Sequence, residues 1–257
     1  MNTNRQIIEL KGISKSFGRG KRRRSILDSI SLSITQGEIY GVFGNNGAGK
    51  STLLRIIAGQ LIPDSGSCHI NDYEVTRAPE RCRSSVGLCG ADEDSFYGRL
   101  TGRQNLRFFG RIHGLDRDLI EHRATDLLTR LDLVEHADRT VQTYSTGLRQ
   151  RLNVARTLIH DPPILIMDEV TKAADPGTAD LILDSIKNTW VGQQGKTVIY
   201  VSQDLFGAEA LCDRIAILNG GNIQMTGTVN DVLGDTYKSI RHLLRTLKSS
   251  SVVSKAL

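Results

Sequence analysis

A nine-residue stretch, Gly44–Thr52, has the residue types and spacing of a loop that binds phosphate groups. It reads GNNGAGKST and matches the pattern G-x-x-x-x-G-K-[ST] at every fixed position. The candidate nucleotide-binding residues are its members: Gly44, Asn45, Asn46, Gly47, Ala48, Gly49, Lys50, Ser51 and Thr52. The pattern predicts a site for a nucleoside triphosphate.

The glycines of this loop let successive backbone N–H groups point at one set of phosphate oxygens without a side chain in the way. Lys50 can bring a mobile charge to the β- and γ-phosphates, and the Ser51 hydroxyl group can ligate Mg2+. A strand-like apolar run, Ile39–Phe43, precedes the loop, and a segment with helical spacing, Ser51–Ala58, follows it. A chance match in a glycine-rich turn would rarely lie between a strand and a helix.

Two consecutive acids, Asp168 and Glu169, end a second apolar run. In enzymes with this phosphate-binding loop, a buried strand delivers one carboxylate to Mg2+, and the next carboxylate can face the γ-phosphate. We therefore predict that Asp168 orients the metal ion and that Glu169 is the general base toward the attacking water. The alternative is an ordinary strand end, but this one lies downstream of a complete phosphate-binding loop.

The segments around these residues predict a sheet with helices. Apolar and polar residues alternate over Ile8–Phe17 and Ile26–Ile34, which indicates two antiparallel strands. The basic run between them, Gly18–Arg24, is predicted to be a solvated hairpin loop, with a membrane or nucleic-acid contact as the alternative. Helical spacing dominates from Leu100 to Asp161. The further predicted strands are Ser67–Ile70, Ser85–Leu88, Pro163–Met167, Thr197–Val201 and Arg214–Leu218. Strands alternating with helices predict a mainly parallel α/β sheet with an inserted helical segment.

The composition is that of an ordinary globular protein of 257 residues, with 39% hydrophobic and 24% charged residues. No apolar run approaches the ~18 residues that a membrane-spanning helix needs, so we expect a cytoplasmic chain whose membrane role is peripheral. The four cysteines include no C-x-x-C pair and are expected to be reduced thiols. A net charge of +5 fits ATP, an anionic membrane surface or nucleic acid equally.

A third motif, Tyr144–Arg151, reads YSTGLRQR and is followed by a helical pattern. It resembles the LSGGQ-type signature of ATP-binding cassette (ABC) ATPases, with Ser145 and Gly147 in the matching places and Thr146 between them. Ser145 and the Gly147 amide would open a helix whose positive end can receive a γ-phosphate. The resemblance implies that this phosphate is bound to an opposing subunit. A merely capped helix is the alternative.

The resemblance covers roughly residues 7–227 and implies a P-loop NTPase fold. That fold has a RecA-like, mainly parallel sheet, an antiparallel β subdomain and an inserted α-helical subdomain at about residues 95–160. We expect one ABC ATPase domain over residues 1–235, followed by a C-terminal helix and tail over residues 236–257. Apolar residues of the tail form one stripe of a predicted amphipathic helix, which we expect to dock on its own domain.

Other landmarks of the family can be matched to single residues. Phe17 matches the aromatic residue that stacks on adenine, and Ala173–Asp175 matches the D-loop. Two positions depart from the family. No glutamine occurs between Arg83 and Arg103, where the family has one that senses Mg2+ and the membrane partner; either an acid in the stretch CGADEDSF replaces it, or this chain does not make that interaction. Gln203, a candidate catalytic residue, stands where the family has a histidine, and glutamine cannot become cationic. We therefore expect ATP binding with slowed hydrolysis.

The leading hypothesis is the ATP-binding and ATP-hydrolysing subunit of an ABC transporter, which uses ATP and Mg2+. Its implied partners are separate membrane-spanning subunits and a second nucleotide-binding domain, in a homodimer or a heterodimer. Its implied location is peripheral, on the cytoplasmic face of the cell membrane, and the stretch RLTGRQNL is similar to subunits of exporters. The alternatives are a soluble ABC ATPase of a nucleic-acid or regulatory complex and a degenerate cassette with little turnover. Nucleic acid is not the expected partner, because translation-type members carry two cassettes and this chain has one phosphate-binding loop.

Overall fold

An antiparallel sheet covers the N-terminal part of the chain. The computed structural model describes residues 5–90, 96–172, 174–202, 208–234, 242–244 and 246. The strand order of this first sheet is β2-β1-β4-β5. Its members are β1 (Gln6–Phe17), β2 (Arg24–Thr35), β4 (Ser65–Ile70) and β5 (Tyr73–Glu74). The predicted hairpin of β1 and β2 is confirmed, and the basic loop between them contains a short 3-10 turn, Gly20–Arg22.

The second sheet carries the phosphate-binding loop. Its order is β10-β9-β3-β8-β7-β6, and every described pair of neighbours is parallel except β9 with β10. Its members are β3 (Ile39–Gly44), β6 (Val86–Cys89), β7 (Ile164–Asp168), β8 (Thr197–Val201), β9 (Arg214–Asn219) and β10 (Asn222–Thr228). Because β3, β8 and β7 are parallel, their carboxyl ends meet at one edge, which is where open α/β sheets bind ligands. The predicted mainly parallel sheet is confirmed.

Helices pack on both faces of this second sheet. In chain order the described helices are α1 (Lys50–Ile57), α2 (Pro79–Ser85), α3 (Gly102–Ile112), α4 (Arg117–Arg130), α5 (Thr146–Leu158), α6 (Pro176–Asp184), α7 (Ala208–Leu211) and α8 (Val229–Leu233). A π-helical stretch, Ser185–Gln193, continues α6. Helices α3, α4 and α5 lie between β6 and β7 in the chain and pack on one another. They form the helical insert that the sequence predicts.

The core consists of two hydrophobic clusters, one on each face of the parallel sheet. Strand β7 shows the division, because its side chains alternate between the faces. Ile164 and Ile166 join the antiparallel sheet and α1 in one cluster, whereas Leu165 and Met167 join the helical insert in the other. The strand that precedes the two predicted catalytic acids is therefore buried on both faces of the sheet, which agrees with its unbroken apolar sequence.

Some elements differ from the sequence-based expectations. Helix α2, strand β10 and helix α8 were not predicted, because α2 has one apolar residue, β10 is a half-exposed edge strand and α8 is little more than one turn. The predicted strand Ser67–Ile70 begins two residues too late, since β4 already begins at Ser65. Position 66 lies inside this strand and requires glycine, because a Cβ there would collide with the carbonyl group of Gly12 on β1.

The C-terminal segment contacts the core where the structure describes it. Residues 242–244 and 246 are helical, Leu243 is fully buried in the cluster that includes Val232, and Leu244 packs against the same cluster. Most of the predicted apolar stripe lies outside the described residues, and the domain boundary at residue 235 stays a prediction. No helix within the described ranges is long and apolar enough to cross a membrane.

Candidate nucleotide-binding site

The phosphate-binding loop connects β3 to α1. Strand β3 is buried over its apolar residues, and α1 begins at Lys50, immediately after Gly49. Gly49 has a φ of 106°, and a Cβ added to it would lie 2.9 Å from the carbonyl oxygen of Ile26 on β2. Only glycine satisfies both this backbone conformation and this close approach. The loop is thus held against β2, with the N-terminal amides of α1 directed as in an anion site.

The ammonium group of Lys50 lies over the loop. Its Nζ atom donates hydrogen bonds to the carbonyl oxygens of Gly44 at 2.7 Å and Asn45 at 3.2 Å. Burial lowers the pKa of Lys50, and the negative charges of Glu169 and Asp168 oppose this shift. A bound phosphate would supply charge where burial disfavours the ammonium form, so this lysine is set to gain a phosphate partner.

Strand β7 ends at the two predicted catalytic acids. Asp168 is its last residue, and Glu169 follows with a φ of 59°, a left-handed conformation that is uncommon for residues other than glycine. The backbone N–H of Glu169 donates to the carbonyl oxygen of Val201 on β8 at 2.9 Å, and the N–H of Lys172 donates to the Glu169 carbonyl oxygen at 3.0 Å. These bonds fix the turn against the sheet, and only 9% of the Glu169 surface is exposed. Such a held backbone outlier is typical of functional sites.

Two adjacent carboxylates, those of Asp168 and Glu169, lie beside oxygens that could bind a metal ion. Burial is the main cause that raises the pKa of Asp168; the charge of Glu169 raises it further and Lys50 opposes both. A cation beside Asp168 would relieve this repulsion. Ser51 and Asp168 line the same cleft, and their hydroxyl and carboxylate oxygens are the hard donors that Mg2+ prefers. The residues present therefore fit Mg2+.

One open cleft of about 530 Å3 joins these groups. Its lining residues are Arg24, Ile26, Asn46, Gly47, Ala48, Gly49, Lys50, Ser51, Thr52, Asp168 and Glu169. The structure thus brings the loop residues 46–52 together with both predicted acids. Gly44 and Asn45 do not line the cleft; instead they contact Lys50 through their carbonyl oxygens. Phe17 is also outside the lining, and 46% of its surface is exposed.

Sequence reasoning missed two lining residues, Arg24 and Ile26. Arg24 belongs to the run that was assigned to a solvated loop, but it is the first residue of β2. It is paired in register with Phe17 of β1. Ile26 approaches the phosphate-binding loop through the contact with Gly49. The sequence gives little indication that these two residues line the cleft, because their position depends on β2 passing beside a loop some 20 residues later in the chain.

The signature residues begin helix α5, as predicted. The side-chain oxygen of Ser145 accepts a hydrogen bond from the N–H of Leu148 at 3.3 Å, and Thr146 and Gly147 form the first turn. A Cβ added to Gly147 would lie 3.0 Å from a carboxylate oxygen of Asp175, in the segment that matches the D-loop. None of the three signature residues lines the cleft of its own chain.

A further contact joins α5 to the turn that follows β7. The side-chain amide of Gln150 donates to the carbonyl oxygen of Val170, the residue directly after Glu169. Sequence reasoning assigned no role to Gln150. Two other expectations, on Gln203 and on the acids of residues 91–95, lie outside the described residues.

Comparisons with known proteins agree with this arrangement. The family model described as "ABC transporter" matches residues 27–172, more than half of the chain. The linearmycin resistance ATP-binding protein of Bacillus subtilis (strain 168) is 34% identical over 234 residues, which are 90% of this chain and 73% of that protein. The Nod factor export ATP-binding protein I of Bradyrhizobium diazoefficiens is 36% identical over 221 residues, covering 86% and 70% of the two chains.

A solved structure shares the fold at lower identity. It is the dimeric post-hydrolysis state of an ATP-binding cassette bound to ADP and Pi. Its TM-score is 0.79 at 26% identity, with 86% of this chain and 98% of the other covered. The phosphate-binding loop, the two acids after β7, the signature helix, the family match and the fold all agree. The chain belongs to the ABC transporter family, as an ATP-binding subunit with the fold of its ATPase cassettes.

Proposed function

We propose that this chain is the ATP-hydrolysing subunit of an exporter and that Glu169 performs general-base catalysis in the cleft described above. One observation carries this proposal: Lys50 at the start of α1 lines one cleft with Asp168 and Glu169 at the end of β7, together with the phosphate-binding loop. The loop amides and Lys50 would bind the β- and γ-phosphates of ATP. The Lys50 ammonium group would then exchange its hydrogen bonds to the carbonyl oxygens of Gly44 and Asn45 for bonds to the phosphate oxygens.

The hydrolytic step uses groups of this chain and one water molecule. The Glu169 carboxylate accepts a proton from the water as its oxygen attacks the γ-phosphorus atom. The bond between that phosphorus and the β–γ bridging oxygen breaks, and the products are ADP and inorganic phosphate. Lys50 stabilises the negative charge that develops on the phosphate oxygens. The held turn at Glu169 keeps the base directed into the cleft, which limits the reorganisation that the reaction needs.

Ser51 and Asp168 would hold Mg2+, and the ion would supply charge neutralisation to the β- and γ-phosphates. Phe17, the last residue of β1, has nearly half of its surface exposed and would stack on the adenine. Ser145, Thr146 and Gly147 would meet the γ-phosphate held by a second nucleotide-binding domain. This last assignment is supported by their position at a capped helix N-terminus outside their own cleft.

The direction of transport is inferred from the relatives. One is named for linearmycin resistance and another for Nod factor export, and both names describe ATP-binding proteins. We therefore propose export, driven through separate membrane-spanning subunits, with this chain peripheral on the cytoplasmic face of the cell membrane. Residues 1–235 would be the ATPase domain, with the helical subdomain at about 95–160 and the tail after 235.

The experiment that tests this proposal isolates the tagged full-length chain from detergent-solubilised membranes of its native cells. We expect co-isolation of a protein with several apolar segments of about 20 residues each, the length that spans a bilayer. Hydrolysis of ATP by that complex should be lost in Glu169→Gln. Recovery only with nucleic acid or with soluble complexes would contradict the transporter assignment and favour a soluble ABC ATPase.

The expected rate of ATP hydrolysis depends on Gln203. By resemblance it takes the place of a histidine that contacts the γ-phosphate, and a neutral amide provides less charge stabilisation in the transition state. One charged hydrogen bond contributes roughly 1.5–3 kcal/mol, so turnover would be about ten to a hundred times slower than with histidine. Steady-state phosphate release from Gln203→His, with the membrane subunits present, should rise by that factor at unchanged ATP affinity. An equal or lower rate would contradict this role.

A further inference from the structure

Arg24 is a cation that lines the nucleotide cleft, and it has no side-chain partner among the residues that the structure describes. It begins β2 and lines the cleft, and its side chain makes no hydrogen bond or ion pair with any residue that the structure describes. Its neighbours in the basic run differ. Arg23 reaches Asp64 at 3.7 Å, and Arg22 is exposed in the 3-10 turn and does not line the cleft. An exposed charge needs no partner, but among the described arginines only Arg24 lines this cleft.

The strand that carries Arg24 passes beside the phosphate-binding loop. The carbonyl oxygen of Ile26 lies 2.9 Å from the position of a Cβ on Gly49, so β2 touches the loop at Ile26. Arg24 precedes Ile26 by two residues, which is about 7 Å along a strand. It is also the direct cross-strand partner of Phe17, and directly opposed residues of an antiparallel pair lie on one face. Arg24 is therefore positioned between the loop and Phe17.

Arg24 is paired with Phe17 on β1, whereas the catalytic end of the cleft is lined by Asp168 and Glu169 at the end of β7. The γ-phosphate belongs at that end, beside Lys50 and the two acids. Between the β-phosphate on the loop and an adenine on Phe17, a nucleotide has two groups, the α-phosphate and the ribose. Only the α-phosphate is charged.

We propose that Arg24 binds the α-phosphate of the nucleotide. A guanidinium group presents paired N–H donors that match phosphate oxygens, so it fits this group better than it fits the ribose. The inference rests on the nucleotide site proposed above, with Phe17 at the adenine end. It gives one residue of the basic run a role in ligand binding and leaves the others as a solvated loop. Arg24 would then contribute equally to ATP and ADP affinity and would not distinguish bases.

Equilibrium binding to the full-length protein tests this role. Arg24→Ala should weaken ATP, ADP and GTP by the same factor, about tenfold, as expected for one partly exposed charged hydrogen bond. Arg22→Ala removes the same charge two residues away and should leave all three affinities unchanged. Loss confined to ATP would assign Arg24 to the γ-phosphate and overturn the proposal, and so would a loss that differs between ATP and GTP. Unchanged binding in Arg24→Ala would overturn it as well.

Nucleotides with sulfur at the α-phosphate identify the contact directly. The two diastereomers of the α-phosphorothioate of ATP place sulfur at different oxygens, and sulfur is the weaker acceptor. We expect the wild-type protein to bind them with different affinities and Arg24→Ala to bind them equally. The same ratio in both proteins, or no difference in the wild type, would overturn the proposal. Failure of the nucleotide site itself is distinguishable, because the wild-type protein would then not bind ATP at all.

Discussion

Replacing Glu169 by glutamine is the sharpest perturbation of the proposed mechanism. The two side chains have nearly the same shape, so the turn held by Val201 and Lys172 through backbone hydrogen bonds should persist. The substitution removes the proton acceptor, and general-base catalysis contributes about 10²–10⁴-fold to such rates. We expect kcat to fall by that factor, equivalent to about 3–5 kcal/mol in the activation free energy. ATP affinity should stay equal or increase, because one negative charge facing the triphosphate is gone.

The same substitution should shift the pH dependence of Mg-ATP binding. In the proposed site, binding of Mg2+ would require ionised Asp168, whose pKa is raised first by burial and second by the charge of Glu169. In Glu169→Gln the second cause disappears, so Asp168 loses its proton at a lower pH than in the wild type. The acid limb of Mg-dependent ATP binding should therefore move to lower pH in the variant.

Single-turnover hydrolysis and equilibrium ATP binding, each measured across pH, check both effects. Glu135→Gln is the matched control, because Glu135 is an exposed glutamate that does not line the cleft. A second readout is the size of the Glu169→Gln protein in solution with Mg-ATP, since blocked hydrolysis should leave two chains joined around the nucleotide. A decrease in kcat of less than about tenfold would be below the range of general-base catalysis and would refute the role of Glu169. An acid limb that moves to higher pH would refute the electrostatic argument.

Three other substitutions test separate parts of the site. Lys50→Ala should weaken equilibrium binding of labelled ATP at least about tenfold, because it removes the charge facing the phosphates, and unchanged affinity in folded protein would contradict the loop assignment. Asp168→Asn should raise the Tm of the nucleotide-free protein by about 1–3 °C at neutral pH. The pKa of Asp168 is raised in the folded state, so the folded protein favours the protonated carboxyl group and loses stability as pH rises through that pKa. The neutral asparagine removes this loss at neutral pH. Calorimetry should therefore show that the difference in Tm between the variant and the wild type vanishes in acid. Gln150→Met keeps the side-chain volume but not the donor to Val170; kcat should fall about threefold to tenfold at unchanged KM for ATP, and a changed KM would indicate a structural role instead.

The parts of the fold that the sequence predicts well are those with local causes. The loop at Gly44–Thr52 is specified by glycines, a lysine and two flanking apolar segments, all within about 20 residues. Strand β8, Thr197–Val201, was predicted with its observed bounds because all five residues are β-branched or aromatic, and all five are buried. Helix α2 and strand β10 were missed, since neither has enough apolar residues to show a period.

The parts that were missed at the site depend on pairing between distant segments. Arg24 reads as one more charge in a basic run, and only the register with Phe17 and the contact of Ile26 with Gly49 bring it to the cleft. The turn at Glu169 likewise depends on a bond to β8, more than 30 residues later. Such contacts leave no periodic signal, because they are set by sheet order rather than by neighbours in the chain.

The signature residues at the start of α5 do not line the cleft that the phosphate-binding loop forms with Asp168 and Glu169. The cleft contains Lys50 and Arg24 as cations and Asp168 and Glu169 as anions, so its side chains carry little net positive charge toward a triphosphate. We expect the loop amides and a bound Mg2+ ion to supply most of the remaining stabilisation. The helix N-terminus at Ser145 is a further source of positive potential, but it lies outside this cleft. In the proposed arrangement, a second cassette would bring its own signature helix to the open side of a nucleotide in this cleft. Hydrolysis by this chain is therefore expected to depend on dimer closure, with ATP as the group that both cassettes share.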